Sequence, residues 1–391
     1  MFAMMNPTIN EIPKPEKAYR DGFSFESSDL VDYLKTLDLL GENRQTKTVK
    51  MKEIIFKPMP TVFEVSGLFD EELHPLVFDS IQSETKVYVE VDGTPCMLRD
   101  TALDSIYDRL RIAGDALNSI PSDILASHLN DYAAYTPGEG LLIFNNGKVE
   151  AILGRKYSLV PAEKLMEKAA DFFDAGAKPA EFVNGSYTHS YSSATWRFRD
   201  CKVVIPFDSA ADDLAYEQRV CVSTSDNGRK AITISPQMRL EGDRYGLNYC
   251  LPLKLEHSGN TDLQEFEKTL NLIDKRFADS SECIRRMVDT VLDYPVNVLL
   301  AMLKFLKIPA KYGVPVYEKR KIMWGENPQT AYDVYSCLSE VLSLLMGESE
   351  DSKELAEYRE RFSRALKFDF SGHDLPGQYS YTDKYIGRKG V

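Results

Sequence analysis

Positive charge is concentrated in residues 304–324, which read KFLKIPAKYGVPVYEKRKIMW. Up to Lys321 the segment sets six cations against one glutamate; the cations are Lys304, Lys307, Lys311, Lys319, Arg320 and Lys321. Four aromatic residues are interleaved with them: Phe305, Tyr312, Tyr317 and Trp324. Proteins that bind single-stranded nucleic acid use cations to neutralise phosphates and aromatic rings to stack bases. The segment, called here the basic strip, is therefore predicted to bind single-stranded nucleic acid. The alternative is a connector whose rings pack inward and whose lysines stay in solvent.

A second group of cations falls at the ends and turns of predicted strands. Its members are Arg155, Lys156, Arg197, Arg199, Arg229, Lys230 and Arg239. If these strands form one sheet, the charges line a single rim; otherwise they are ordinary solvated turn residues. A third basic segment, residues 44–57, alternates like an exposed strand, so its lysines either protect a sheet edge or contact phosphate.

Signatures of catalysis are missing from the sequence. It has no phosphate-binding glycine loop, no dinucleotide fingerprint and no zinc-protease or nucleophile-elbow motif. Its five histidines are scattered, which leaves a metal site built from His189, His257 and a remote acid as a minor alternative. Asp212 and Asp213 could hold a divalent cation, although adjacent carboxylates in a polar loop are usually solvated. We predict no catalytic residue, no metal and no cofactor.

Composition describes an ordinary globular chain with an acidic surface. The 391 residues are 43 % hydrophobic and 27 % charged, and the formal net charge is −13. Because such a surface repels nucleic acid at long range, a nucleic-acid binder needs its cations gathered on one face. No apolar run approaches the roughly 20 residues that cross a bilayer, and six cysteines lie far apart. We expect a cytoplasmic protein with reduced thiols and no membrane contact.

The clearest structural pattern lies in residues 141–173. Apolar runs at 141–144 and 149–153 flank an Asn146-Gly147 turn, which predicts a β-hairpin. A short strand at 157–160 should follow, and Pro161 suits the start of a helix. The Asp226-Asn227-Gly228 turn predicts another hairpin, between residues 219–225 and 230–235.

Elsewhere the patterns alternate between short strands and amphipathic helices. Strands are expected at 63–69, 86–91, 202–207 and within 182–198, where Asn184-Gly185 would form a turn. Helices are expected at 30–40, 101–117, 122–132, 261–277 and onward from 281. The fold class is α+β, with a central antiparallel sheet built from hairpins, packed helices and a C-terminal helical part. The predicted divisions are a flexible arm (1–22), an N-terminal α+β region (23–140), the hairpin and helix core (141–294), a helical region (295–370) and a tail (371–391).

Two segments resemble a known family. GRKYSLVPAEKLMEKAADFF, from Gly154, is similar to the strand-then-helix opening of the phage- and plasmid-encoded family called domain of unknown function 932. NPQTAYDVYSCLSEVLSLL, from Asn327, is similar to that family's later helix, with Tyr332 as its aromatic residue, Ser336 in place of its usual Asn and Glu340 as its acid. The hairpin around Asp226 fits the family's middle part, so the resemblance covers roughly residues 140–346.

The resemblance implies a mobile-element protein located in the cytoplasm of a bacterial host, and it supplies no catalytic residue. A curved sheet crossed by a helix is similar to the core of phage single-strand-annealing proteins, which bind DNA in a basic groove as rings or filaments. By this analogy we expect a non-enzymatic, homo-oligomeric protein of DNA metabolism that binds single-stranded nucleic acid. The alternative is a phage structural or protein-interaction component, such as one that counteracts a host defence system.

Overall fold

A computed structural model describes residues 18–113, 115–176, 179–207, 213–242, 247–259, 261–348 and 352–381. The strands are β1 (Ser24–Ser27), β2 (Gln45–Lys50), β3 (Ile54–Pro58), β4 (Val87–Val91), β5 (Thr94–Leu98), β6 (Glu139–Asn145), β7 (Lys148–Gly154), β8 (Ala180–Thr188), β9 (Tyr191–Ile205), β10 (Leu214–Thr224), β11 (Ile232–Leu240), β12 (Leu253–Leu255), β13 (Val291–Leu292) and β14 (Gln329–Thr330). The helices are α1 (Leu30–Gly41), α2 (Val65–Leu68), α3 (His74–Gln82), α4 (Ala102–Leu110), α5 (Ser122–Tyr135), α6 (Ala162–Ala175), α7 (Leu263–Leu270), α8 (Ile273–Asp289), α9 (Pro295–Phe305), α10 (Ala310–Trp324), α11 (Ala331–Glu348) and α12 (Ser352–Ser363). The α+β class is confirmed, but two six-stranded sheets replace the single central one.

The first sheet has the strand order β2-β6-β7-β5-β4-β3 and is antiparallel except where β5 pairs with β7. The predicted hairpin of residues 141–153 is confirmed as β6–β7, and Asn146 and Gly147 take φ angles of 48° and 80°. These positive angles match the right-handed twist of the two strands. Strands β2 and β3 are the two edges of this sheet, so the basic segment 44–57 does lie along sheet edges. Helices α4 and α5 cover its apolar face.

The second sheet has the order β1-β8-β9-β10-β11-β12 and is antiparallel throughout. The hairpin around Asp226 is confirmed as β10–β11. Asn184 and Gly185 do not form the predicted turn: they lie inside β8, which reverses into β9 after Thr188. A Cβ at Gly185 would come 2.5 Å from the Tyr33 ring of α1, so the glycine allows that helix to pack on the sheet.

One face of the second sheet carries the largest apolar core. Trp196 of β9 packs on Phe173 of α6, with ring centroids 4.9 Å apart, and Phe198 packs edge-on against Phe277 of α8. Helix α11 closes the same face, where the hydroxyl of Tyr216 donates to that of Tyr332 at 3.0 Å. The predicted C-terminal helical part is confirmed as α9–α12.

Several local predictions are wrong. Residues 63–69 contain the short helix α2 instead of a strand, and residues 157–160 make only the isolated bridge Tyr157–Ser258. Helix 101–117 ends at Arg111, whose φ is 58°, and helix 261–277 breaks between α7 and α8. The strands predicted within 182–198 and at 202–207 are confirmed, but the break between them is not: residues 191–205 form the single long strand β9, after β8.

Both predicted termini are partly packed. Residues 1–17 and 382–391 lie outside the described residues, but Ala18 is buried in the core and Asp21 makes buried ion pairs. Near the other end the hydroxyl of Tyr381 donates to the carbonyl of Ile308 at 3.2 Å, and Tyr317 donates to that of Tyr379 at 2.7 Å. The segments 18–22 and 371–381 are therefore structural parts of the fold.

Buried charged side chains connect the first sheet to the segment before β1 and to α3, in what we call the ionic junction. Arg99, which follows β5, and Lys148, the first residue of β7, are fully buried. Lys148 Nζ lies 2.9 Å from Asp21 Oδ1 and 2.7 Å from Asp79 Oδ2. Arg99 adds contacts of 3.3 Å to Asp21 and 3.5 Å to Glu150. Removing one partner of such a network leaves a buried charge without compensation, which is strongly destabilising.

A second part of the junction is centred on Arg44, which follows α1. Its guanidinium binds Glu163 of α6 at 2.7 Å and Asp226 of the β10–β11 turn at 2.6 Å. Burial raises the pKa of Asp226 to about 6, with Arg44 opposing and Glu163 adding to the shift. Because one guanidinium serves two buried carboxylates, a raised pKa for one of them is physically reasonable.

Candidate nucleic-acid interface

The structure gathers cations in a depression beside the first sheet, called here the basic groove. Its volume is about 800 Å³. Five cations and one carboxylate line it: Lys50, Lys52, Arg109, Arg155, Lys156 and Glu139. In a chain of net charge −13, this is a local reversal of sign. Such a depression attracts polyanions, and its low-dielectric walls focus the field.

Four separate elements position these side chains. Lys50 ends the edge strand β2, Lys52 lies in the 3-10 turn Met51–Glu53, Arg109 lies in the last turn of α4, and Arg155 and Lys156 follow β7. Pairing of β2 with β6 and of β6 with β7 brings residues about 100 positions apart to one side of the sheet. The groove is thus a product of strand order.

Most of the groove's cations keep their charge available. Arg155 pairs with Glu139 at 3.0 Å and Lys50 with Glu53 at 3.3 Å, but these side chains are solvent-exposed, where an ion pair is worth about 0–1 kcal/mol. Among the described residues, Lys52 and Lys156 have no ion-pair partner. Arg109 is held in place by donating from Nη2 to the carbonyl of Glu139 at 2.8 Å.

An aromatic ring stands in the same groove. Tyr135, the last residue of α5, is 89 % exposed, and Tyr132 one turn earlier is 47 % exposed. A large ring left in water costs free energy, so exposure of this degree beside five cations is informative. The combination of a free aromatic face with cations is what base stacking on a bound single strand requires.

The groove continues into a second depression that shares Arg109 and Gly154 with it. Here Arg229 of the second sheet binds Asp104 and donates to the carbonyl of Thr101 at 3.3 Å, so it joins the β10–β11 turn to α4. Asp104 and Asp108 offset two of the three arginines of this part, which are Arg109, Arg111 and Arg229. The electrostatic field that attracts a polyanion is therefore stronger in the basic groove, at the end that contains Lys52 and Tyr135.

The predicted rim is divided by the presence of two sheets. Arg155, Lys156 and Arg229 lie in the two joined depressions, whereas Arg197, Arg199 and Lys230 belong to the open face of the second sheet. Arg197 binds Glu181 at 3.1 Å and Arg199 lies 3.8 Å from the same carboxylate. Lys230 lies over the ring of Tyr191 at 4.6 Å. Among the described residues, the hairpin charges therefore do not form a single rim.

The basic strip is mostly helix α10, and its predicted open aromatic face is wrong. Tyr312, Tyr317 and Trp324 are buried, and only Phe305 among the four rings is exposed. Tyr312 donates its hydroxyl to Glu348 at 2.9 Å, which fixes the ring against α11. A ring enclosed in this way cannot stack on a base.

Carboxylates of α11 also neutralise half of the strip's cations. Lys311 binds Glu348 at 2.7 Å and Lys319 binds Glu340 at 2.8 Å, and Arg320 contacts Glu340 as well. Lys321 lies 5.9 Å from the Tyr317 ring and Lys304 lies 6.0 Å from the Tyr381 ring. Lys307 has no ion pair with a described residue. The connector alternative fits this helix better than the binding alternative does.

The residues considered for metal binding are otherwise engaged. His189 donates from Nε2 to the carbonyl of Arg20 at 2.9 Å and accepts from Tyr187 at 3.2 Å; burial lowers its pKa. His257 donates from Nδ1 to the carbonyl of Ser158 at 3.1 Å. Within the described ranges, no group of three or more potential metal ligands occurs, and Asp212 lies outside them. All six cysteines are free thiols.

Sequence reasoning missed Tyr135 and Arg109 as site residues. The signal for Lys50 and Lys52 was present as the basic segment 44–57. No local pattern marks a tyrosine at a helix end as exposed, so Tyr135 could be found only once α5 and β6 were placed.

Comparison of the chain with protein-family models, with curated proteins and with solved structures found no match. The resemblance to the family of domain of unknown function 932 therefore stays a prediction. Within the described ranges, no helix combines the length and the apolar character needed to cross a bilayer.

Proposed function

We propose that this protein binds single-stranded nucleic acid in the basic groove, as a non-enzymatic component of phage or plasmid DNA metabolism. The observation that carries the proposal is the exposed Tyr135 ring among five cations and one carboxylate. Phosphates would lie against Lys50, Lys52, Arg155 and Lys156 while an unpaired base stacks on Tyr135. Duplex DNA cannot offer such a base, because its bases are already stacked and paired.

The groove's electrostatics predict how binding responds to salt. Each phosphate neutralised on a single strand releases counterions, which gives a slope of about −0.7 in log affinity against log salt concentration. Four contacts would give a slope near −3, or a loss of affinity of about 50-fold between about 50 and 200 mM salt. The overall charge of −13 adds a general repulsion that low salt makes stronger.

The test is fluorescence anisotropy with a labelled oligothymidine of about 16 nucleotides at both salt concentrations. Lys52→Glu combined with Lys156→Glu should weaken binding by about 100-fold at low salt and should flatten the salt slope. The matched control is Lys307→Glu combined with Lys321→Glu, which makes the same charge change in the basic strip and should alter affinity less than about threefold. The proposal that the groove binds single strands would be refuted if the wild type did not bind at low salt. It would also be refuted if the control variant lost more affinity than the groove variant.

A second candidate is a protein-interaction component, and exposed apolar side chains favour it. Ile322 of α10 is 83 % exposed, Val291 of β13 is 65 % exposed, and Met323 is also largely in solvent. Such side chains suit adhesion between proteins or self-association. Pull-down from a bacterial lysate with and without nuclease separates the two candidates, because a nucleic-acid-mediated partner is lost after nuclease treatment.

A further inference from the structure

Exposed apolar side chains occur in residues 61–72, which follow β3, contain α2 and are called here the acidic segment. Phe63 is 97 % exposed, so its ring has almost no contact with the described part of the chain. Val62 and Leu68 are also mostly in solvent. Single apolar residues on a surface are ordinary, but three of them so close together are typical of an interaction surface.

The acidic segment has a defined conformation. The carboxylate of Glu64 accepts hydrogen bonds from the backbone N–H of Thr61 at 2.8 Å and from its hydroxyl at 2.7 Å. Val65 is buried, and Phe69 packs edge-on against Tyr88 of β4 with ring centroids 5.3 Å apart. An exposed ring that is carried on an ordered turn loses little conformational entropy when it binds, which favours association.

Negative charge surrounds the exposed apolar side chains. Residues 58–85 contain six carboxylates and no lysine or arginine. The nearest flanking cations have other partners: Lys57 pairs with Glu90 at 3.7 Å, and Lys86 donates to the carbonyl of Ile120 at 2.9 Å. Four exposed carboxylates of the acidic segment make no ion pair with a described residue; they are Glu64, Asp70, Glu71 and Glu72.

The basic groove offers a complementary surface. Two of its cations are paired with glutamates, but the exposed Lys52 and Lys156 have no ion-pair partner within the described ranges. The exposed ring of Tyr135 lies in the same groove. Carboxylates and a phenyl ring on one surface thus match ammonium groups and a phenol ring on the other. None of the described residues that line the groove belongs to the acidic segment, so the match is one between two molecules.

We infer that the acidic segment of one molecule docks in the basic groove of a second copy of this chain. Phe63 packs on the partner's Tyr135. Glu71 and Glu72 supply negative charge to the partner's Lys52 and the partner's Lys156. A symmetrical contact between two acidic segments is disfavoured, because it would bring like charges together. The contact is therefore head-to-tail, and each chain in it keeps one free segment or one free groove for a further copy.

Self-association and the proposed binding of single-stranded nucleic acid use the same groove. The inference depends on the charge of the groove and not on its proposed ligand, so self-association is measured without nucleic acid. An oligonucleotide that occupies the groove should dissociate the assembly, since both compete for Lys52 and Lys156.

The test is sedimentation velocity of the full chain over a range of protein concentrations. The wild type should self-associate at about 50 mM salt and much less at about 500 mM, because exposed charge pairs are screened. The segment variant, Glu71→Lys combined with Glu72→Lys, should weaken self-association at least about tenfold. The groove variant, Lys52→Glu combined with Lys156→Glu, should do the same.

The matched control is Asp171→Lys combined with Asp174→Lys, two exposed residues of α6 outside the acidic segment. It makes the same charge change as the segment variant and should stay within about twofold of the wild type. If the control weakened self-association as much as the segment variant, net charge alone would be responsible and the inference would be overturned.

Two combinations of the variants give the sharpest outcome. A mixture of the segment variant with the groove variant should form a complex of two chains that does not grow, because only one intact segment and one intact groove are present. One chain that carries all four substitutions should self-associate again, since the charges of the two surfaces are then exchanged. Absence of the two-chain complex from the mixture would overturn the inference, and so would a wild type that stays monomeric at low salt.

Phe63→Ser separates this inference from the proposed function. Because the ring is in solvent, circular dichroism should show an unchanged fold. Self-association should weaken, while the affinity of the monomer for an oligonucleotide should not change. A groove variant that loses oligonucleotide binding but keeps wild-type self-association would support the proposed function and would overturn this inference.

Discussion

The basic strip on α10 and the basic groove beside β2 contain similar numbers of cations, but their surroundings differ. In the strip, α11 brings Glu340 and Glu348 against Lys311, Lys319 and Arg320, and the aromatic rings face the core. In the groove, cations from four elements meet one carboxylate, and Tyr135 faces water. A dense run of charge in the sequence says little about the field in space, because neighbouring elements supply the countercharges.

The two regions also differ in the interactions that stabilise them. Helix α10 packs its rings into the large apolar core, whereas the strand that leads to Arg155 and Lys156 begins at Lys148 in the ionic junction. The groove should therefore respond to changes of buried charge that leave the strip untouched.

The largest effect is expected from Lys148→Met. It leaves Asp21 and Asp79 without their buried ammonium, and loss of one partner from a buried pair costs about 3–5 kcal/mol. Urea denaturation should show this loss of unfolding free energy. The rate of amide hydrogen exchange should increase more in β7 than in α10. Lys254→Met, which breaks an exposed pair, should cost less than about 1 kcal/mol. Equal stability of Lys148→Met and the wild type would mean that the junction does not depend on this charge.

The next effect concerns the ring in the groove. Tyr135→Ala should weaken oligonucleotide binding by about 1–3 kcal/mol, the worth of one base stack, without changing the salt slope. Tyr135→Phe keeps the aromatic face and should bind like the wild type. Tyr312→Phe in the strip should leave affinity unchanged, because that ring is buried. A fall in the salt slope in anisotropy titrations of Tyr135→Ala would contradict a stacking role.

The raised pKa of Asp226 should be visible in the pH dependence of the unfolding free energy. Its folded pKa of about 6 lies above the ordinary 3.8, so the folded state holds the extra proton between these values. This contribution to stability is present at low pH and is lost as pH rises through about 6. Relative to Asp226→Asn, the wild type should therefore lose about 2–3 kcal/mol of unfolding free energy between about pH 4 and pH 7. His189 is common to both proteins, so its opposite trend cancels. Parallel pH profiles in urea denaturation would contradict the raised pKa.

The smallest effect should come from removing the carboxylates that pair with the cations of the strip. Glu340→Gln combined with Glu348→Gln removes the countercharges of Lys311, Lys319 and Arg320 without adding an aromatic face. Oligonucleotide affinity at low salt should rise about two- to fivefold, which corresponds to about 0.4–1 kcal/mol. The same two glutamine substitutions can be added to the variant that carries Lys52→Glu and Lys156→Glu. If they restored its binding, the strip, and not the groove, would be the principal interface.

Local patterns were sufficient to predict much of the fold. The hairpin turns at Asn146-Gly147 and Asp226-Asn227-Gly228, and the helices after Asp29 and Pro161, depend on residues close together in sequence. The sheet order could not be predicted, since the parallel pairing of β5 with β7 joins strands about 50 residues apart. The groove depends on that order, and the neutralised strip depends on how α10 packs on α11.

Buried ionic residues were the other source of error. Lys148 and Glu150 flank Val149 in a strand whose apolar residues alone were used for prediction. Charged side chains in a strand ordinarily indicate a solvent-facing side, and here that side faces the junction. Recognising this required Arg99, Asp21 and Asp79, which come from three other places in the chain.

Strand β1 pairs with β8 at the edge of the second sheet, so the entire first sheet is inserted between two adjacent strands of its neighbour. A ribosome must therefore release more than 180 residues before the strand at Ser24–Ser27 can find its partner. Cutting the gene near residue 155 would produce a C-terminal fragment that lacks both an edge strand and the helix carrying Tyr33. Dissection of this protein into independently expressed halves should instead excise residues 45–154 and rejoin the flanking ends with a short linker.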